Sequence, residues 1–144
     1  MPTRNGGFLI SQVKQLQDRV FDALLRQSGI QDFNGAQGRI LYVLWQEDNL
    51  PIVELSKRTS LAKNTLTGML DRMEHNGFLM RAYDETDRRM IRILLTQKAR
   101  ELSTKYLEVS KKMTALFYKG FTEAEMEAFE HSLARVLQNM KDTL

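Results

Sequence analysis

The sequence predicts a mainly α-helical chain with one small β-hairpin, and two adjacent stretches carry most of that prediction. From Ala62 to His75, Leu66, Met69, Leu70 and Met73 fall on one helical face, while Lys63, Asn64, Thr67, Gly68 and Asp71 fall on the other. Asn76-Gly77 then stops the helix. Two β-prone runs, Phe78–Tyr83 and Met90–Leu95, flank the polar stretch Asp84-Glu85-Thr86-Asp87-Arg88-Arg89. Outside this region, apolar residues recur at helical spacings of three and four through both ends of the chain. A polar-faced helix followed by a hairpin with arginines near its tip is the layout of a winged helix-turn-helix, here with long N- and C-terminal helices added.

Each element has its own local justification. The first helix is expected from Leu9 to Gln27, with Leu9, Val13, Leu16, Val20 and Leu24 in one stripe and Gly29 as its stop. Phe8, Phe21 and Leu25 widen that stripe beyond what one packing partner needs. The second helix starts at Asn34, an N-cap with Gln37 placed for a capping box. It turns Ala36, Ile40, Val43 and Leu44 inward, beside Leu41 and Trp45. Pro51 suits the first turn of a short third helix, Pro51 to Arg58, whose Ile52, Leu55 and Val53 face the core. A brief turn at Thr59-Ser60 leads into the Ala62–His75 helix, completing the helix-turn-helix.

After the hairpin, Thr96 is the expected N-cap of one long helix reaching about Tyr118, with Ala99, Leu102, Tyr106, Val109, Met113 and Leu116 inward. Gly120 ends it. The last helix opens with Thr122 and Glu125 as a capping box and Phe121 with Met126 as a hydrophobic staple. Met126, Phe129, Leu133, Val136 and Met140 carry its stripe to the terminus. These terminal helices exceed what a winged helix needs. An intrachain antiparallel bundle would bury their stripes, and so would a dimer interface; the dimer is expected, because a helix-turn-helix usually binds paired half-sites.

Composition narrows the function. The 144 residues suit about one domain, and 42% hydrophobic with 27% charged residues is ordinary for a globular chain. No apolar run is long enough for a membrane span, and Met1–Gly7 is too short and polar for a signal peptide, so the expected compartment is the cytoplasm. With no cysteine, disulfides, thiolate metal sites and cysteine redox sensing are excluded. His75 and His131 lie on different predicted helices without partner ligands, so no metal is expected. No cofactor is expected either. An enzyme is disfavoured for want of a Ser-His-Asp signature, a Gly-rich phosphate loop or carboxylates clustered around a histidine. The formal charge is only +3, but residues 51–96 carry eight basic groups against six acidic ones, and Leu55 to Leu70 has three cations and no anion. That excess falls on the helix-turn-helix. The donor-rich face of Ala62–His75 suits the DNA major groove, and arginines at a hairpin tip suit the negative potential of the minor groove.

The sequence resembles the MarR family of bacterial transcriptional regulators. The resemblance rests on Val53-Glu54-Leu55, on the stretch from Leu61 to Gly77, and on Asp84 through Asp87-Arg88-Arg89 to Leu95-Thr96. One helix before this lobe and two after it also match, so the layout covers nearly the whole chain. The resemblance implies a single domain over 1–144, with about 34–96 as the DNA-binding lobe and about 8–30 and 97–144 as a helical dimerisation lobe. It implies a homodimer on a palindromic double-stranded DNA operator, commonly acting as a repressor. In many members a small phenolic or lipophilic compound weakens DNA binding from a pocket between the lobes. Phe8, Phe21, Tyr42, Trp45, Tyr106 and Met113 are candidates to line such a pocket, although each is more often ordinary core.

The residue roles follow. Lys63 suits a phosphate or guanine edge, Asn64 an adenine, and Thr67 a thymine methyl or phosphate. Thr65 joins these candidates but reads as partly inward. Lys57 and Arg72 suit phosphates, Arg72 having Glu74 and the surroundings of Asp71 as competing partners. Gly68 and Ala62 depart from the family pattern, which often has a larger polar side chain at the first and a serine N-cap at the second. Glycine there allows close backbone approach or is merely tolerated; alanine forfeits a capping bond. By analogy to the family, one of Arg88 and Arg89 reaches the minor groove while the other is tied by a carboxylate such as Asp71 or Asp87; Arg89 is favoured for DNA. The competing function is a winged-helix protein–protein module that no longer reads DNA.

Overall fold

The computed structural model describes residues 3–144. Its elements run α1 (Gly6–Gln27), α2 (Gly35–Gln46), β1 (Leu50–Pro51), α3 (Ile52–Thr59), α4 (Lys63–His75), β2 (Leu79–Tyr83), β3 (Ile91–Leu95), α5 (Gln97–Glu101), α6 (Ser103–Phe117) and α7 (Glu123–Thr143). The chain divides into two compact units, residues 1–110 and residues 111–144.

The core of the first unit is apolar throughout. Ile40, Leu41 and Leu44 of α2, Leu55 of α3, and Leu66, Leu70 and Met73 of α4 are fully buried with Phe78 and Ile93. The buried face of α4 is the one its sequence predicts: Leu66, Met69, Leu70 and Met73. On α1 only Phe21 and Leu25 are buried, whereas Leu9, Val13, Leu16 and Val20 are exposed. The stripe predicted for this helix is therefore not its core face. Val53 of α3 also points to solvent, against expectation, at 63% exposure.

Helix ends follow local chemistry. Asn34 and Gln37 form the predicted capping box at α2, and Gly29 takes the left-handed conformation after α1 (φ +82°). Gly77 does the same after α4 (φ +82°), with the Phe78 N–H bonding back to the Met73 carbonyl at 2.9 Å. Thr96 caps α5 as predicted.

Two elements correct the sequence expectations. The hairpin is part of a three-stranded antiparallel sheet, ordered β1-β3-β2. Leu50 pairs with Ile93 and Pro51 with Arg92, so Pro51 lies in a short strand and precedes α3 rather than opening it. The helix expected from Thr96 to Tyr118 is interrupted at Leu102, between α5 and α6. There the Ala99 carbonyl accepts from the Leu102 N–H at 3.2 Å and from the Trp45 indole Nε1 at 3.0 Å. A side-chain donor competing for a ladder carbonyl is a recognised cause of a helix break.

In the second unit, Thr122 and Glu125 form the predicted capping box of α7. The rings of Phe117, Tyr118, Phe121 and Phe129 cluster with centroids 4.9 to 6.1 Å apart. The Tyr118 hydroxyl donates to Glu130 at 2.5 Å, which pushes its pKa up to about 12. No residue of α7 is buried, and Val136, Leu137 and Met140 are exposed.

Candidate nucleic-acid interface

The turn between α3 and α4 is held by side chains. The Ser56 hydroxyl donates to the Leu61 carbonyl at 2.8 Å, and Thr59 Oγ1 donates to the Leu55 carbonyl while accepting from the Leu61 N–H. Ser60 closes α3 in the left-handed region (φ +58°). Ala62 is the N-cap of α4 and offers no side-chain bond, and Ser60 does not substitute for it. The first N–H groups of α4 therefore face outward without a protein cap.

The outward face of α4 begins at that uncapped end. Lys63, Asn64, Thr65 and Thr67 are exposed, so Thr65 belongs to this face rather than turning inward. The side chains of Lys63, Asn64 and Thr65 have no hydrogen-bond partner among the described residues. Thr67 donates its hydroxyl to the Lys63 carbonyl at 2.9 Å, which leaves its methyl and lone pairs outward. Gly68 is half-buried, and a Cβ built there would meet nothing within 4 Å. Lys57 on α3 and Arg72 on α4 are exposed and unpaired among the described residues; Arg72 does not pair with Asp71 or Glu74.

Those two carboxylates hold Arg81 instead. Arg81 Nη2 donates to Asp71 at 2.7 Å and Nη1 to Glu74 at 2.6 Å, tying strand β2 to α4. Asp71 is thus not the carboxylate that ties a wing arginine. Lys98 supports the other end of the helix, donating to the Asn76 carbonyl at 2.9 Å with its ammonium 4.6 Å from the Phe78 ring centroid.

The wing turn is organised by two aspartates. Asp84 Oδ1 accepts from the Thr86 N–H (2.9 Å), the Thr86 hydroxyl (2.7 Å) and the Asp87 N–H (3.1 Å). Its Oδ2 accepts from Arg92 Nη1 at 2.9 Å. The Thr86 bonds, followed by the Arg92 ion pair, hold this carboxyl far below the ordinary 3.8. Asp87 Oδ1 accepts from the Arg89 N–H and Nε, at 3.0 and 3.1 Å, and Oδ2 accepts from Nη2 at 3.3 Å. Arg89 is thereby the tied arginine, yet its side chain is 92% exposed, so the tie orients the guanidinium without withdrawing it. Arg88 is exposed and has no partner among the described residues.

Sequence reasoning missed Asn49, Arg81, Asp84 and Arg92. Asp84 left a signal, because an Asp two residues before a Thr in a turn can bond forward to the backbone. Asn49 left a weaker one: it follows Asp48 in a polar turn and adopts a left-handed φ of +59°, which Asn tolerates better than most residues. The partners of Arg81 lie on helix α4 and those of Arg92 on the loop before β1 and at the wing turn, and neither set had a local signature.

The expected pocket residues separate. Phe21, Trp45 and Tyr106 pack ring on ring, with Tyr106 at 5.5 Å from Phe21 and 4.9 Å from Trp45. Phe8 and Tyr42 are exposed, and Met113 belongs to the second unit. No group of three or more potential metal ligands occurs among the described residues.

A short helix, a tight turn, a polar-faced second helix and a three-stranded wing define a winged helix-turn-helix protein. A model of the MarR family matches residues 33–91. The uncharacterized HTH-type transcriptional regulator YsmB of Bacillus subtilis is 31% identical over 98 residues, covering 68% of this chain and 67% of that protein. The HTH-type transcriptional regulator TtmR of Methylorubrum extorquens is 42% identical over 66 residues, 46% of this chain but only 34% of the relative's length. Among solved structures, a mutant MarR from E. coli complexed with operator DNA matches with a TM-score of 0.82 and 28% identity, over 91% of this chain and 92% of that one. The chain belongs to the MarR family.

Proposed function

We propose that this protein is a sequence-specific DNA-binding transcriptional regulator that works as a homodimer on a palindromic operator, as a ligand-responsive repressor. The observation that carries the reading is one surface. The exposed polar face of α4 is tied through Arg81 to the wing root, and the wing carries two exposed arginines. The operator-bound state of the E. coli relative supports it.

In this reading Asn64 reads adenine, Lys63 takes a phosphate or guanine edge, and Thr65 and Thr67 complete the groove contact. Thr67 has its hydroxyl proton committed, so its methyl is the group suited to a thymine. Gly68 lets the α4 backbone approach closely. Lys57, Arg72 and Arg88 take phosphates, and Arg89, oriented by Asp87, enters the minor groove. The effector is inferred from family membership. A phenolic or lipophilic compound entering beside Trp45 would have to displace Tyr106 from Gly38, whose missing Cβ would lie 2.6 Å from that ring.

Selection of bound fragments from the source genome, followed by salt titration, tests the function. We expect nanomolar-class binding that falls steeply with added salt, because phosphate contacts release counterions. Arg89→Ala should weaken binding to all sequences, whereas Asn64→Ala should chiefly relax preference at one base position. A monomer that binds no fragment in a salt-sensitive way would overturn the proposal in favour of a protein–protein module.

A further inference from the structure

We infer that Arg92 is a positioning residue for DNA binding: it fixes the wing turn that holds Arg89 and does not itself reach the DNA. The inference rests on the role proposed above for Arg89. Arg92 lies on the middle strand β3 with its side chain only 29% exposed, and all three guanidinium nitrogens are engaged. Nε donates to Asn49 Oδ1 at 2.8 Å, Nη2 to the Asn49 carbonyl at 2.7 Å, and Nη1 to Asp84 Oδ2 at 2.9 Å.

From there the contacts continue without a gap. The other oxygen of Asp84 holds Thr86 and the Asp87 N–H, and the Asp87 carboxylate holds Arg89 by its backbone and by two side-chain nitrogens. The near end of this run is anchored. Asp48 accepts from the Asn49 N–H at 2.7 Å, the Leu95 N–H at 2.9 Å and Arg100 Nη2 at 3.0 Å. The far end is the exposed guanidinium of Arg89. One rigid fork therefore joins the loop after α2 to the wing turn. A lysine at position 92 keeps the charge but cannot span Asn49 and Asp84 together, because its ammonium is a single point.

A double-mutant cycle with the full chain and its selected operator fragment tests this. Arg92→Lys should weaken binding roughly tenfold in the wild-type background and less than about twofold in the Arg89→Ala background. It should also flatten the salt dependence as Arg89→Ala does, although its charge is kept. Asn49→Gly tolerates the left-handed backbone and deletes one acceptor, so it should give a smaller effect with the same background dependence, including if Arg92→Lys fails to fold. Equal losses in both backgrounds would overturn the inference, since a direct phosphate contact or general destabilisation behaves that way. So would no loss at all, or an Arg89→Ala variant that binds as well as wild type. A wild-type protein that binds no DNA would instead sink the functional reading itself.

Discussion

Single residues set the fine packing of the first unit. Gly38 is where α2 meets Tyr106, and an added Cβ would sit 2.6 Å from the ring, whose side chain is almost wholly buried. Gly38→Ala is expected to destabilise the protein by about 1–3 kcal/mol through overpacking, read by thermal or denaturant unfolding. Ala62 gives the opposite case. Its extended backbone (φ −62°, ψ 146°) suits a capping side chain that alanine does not supply. Ala62→Ser should add about 1 kcal/mol, raising the melting temperature by roughly 2–4 °C for a chain of this size. An unchanged melting temperature would show that the helix end is already satisfied by water. Both residues were only partly legible in the sequence. The missing cap at Ala62 could be read from three neighbouring letters, whereas the need for Gly38 depends on Tyr106, which lies far along the chain.

At the level of elements, the legible features were those with local causes. The capping boxes at Asn34 and Thr122, the glycine stops and the apolar face of α4 each follow from residues within a turn or two of one another. Strand β1 and the break at Leu102 come from contacts between distant segments, Leu50 with Ile93 and Trp45 with Ala99. The Arg81 pairs with Asp71 and Glu74 are close in sequence but depend on how β2 folds back on α4. The wing turn lies between these cases. Because Asp84 has its folded pKa depressed, its stabilising contribution is present above the ordinary value of 3.8 and is lost as pH falls through the lower folded value. At a pH near 3.8, where a free aspartate is half protonated, Asp84 should remain ionised and the turn closed. A carbon-detected NMR titration of its carboxyl checks this; an ordinary midpoint would mean that the Thr86 and Arg92 bonds are not held in solution.

On the scale of the whole molecule, each unit exposes apolar side chains that its own core does not use. Phe8, Leu9, Val13 and Leu16 line α1 in the first, and Leu116, Val136, Leu137 and Met140 are exposed in the second. The proposed homodimer gives such faces a partner. Leu16 is 55% exposed, so Leu16→Asp leaves the buried core intact while placing a charge on the α1 face. It should sediment as a monomer where the wild type sediments as a dimer, and its operator affinity should fall with loss of the second half-site. Identical sedimentation of the two proteins would remove α1 from the interface. The small sheet bears on the same question from its margins. At one edge Pro51 has no N–H to offer, and at the other the outward N–H of Arg81 is taken by Glu74 at 3.3 Å. Each margin thus offers an incoming strand fewer backbone donors than a fully open edge would, which discourages edge-to-edge pairing through the wing.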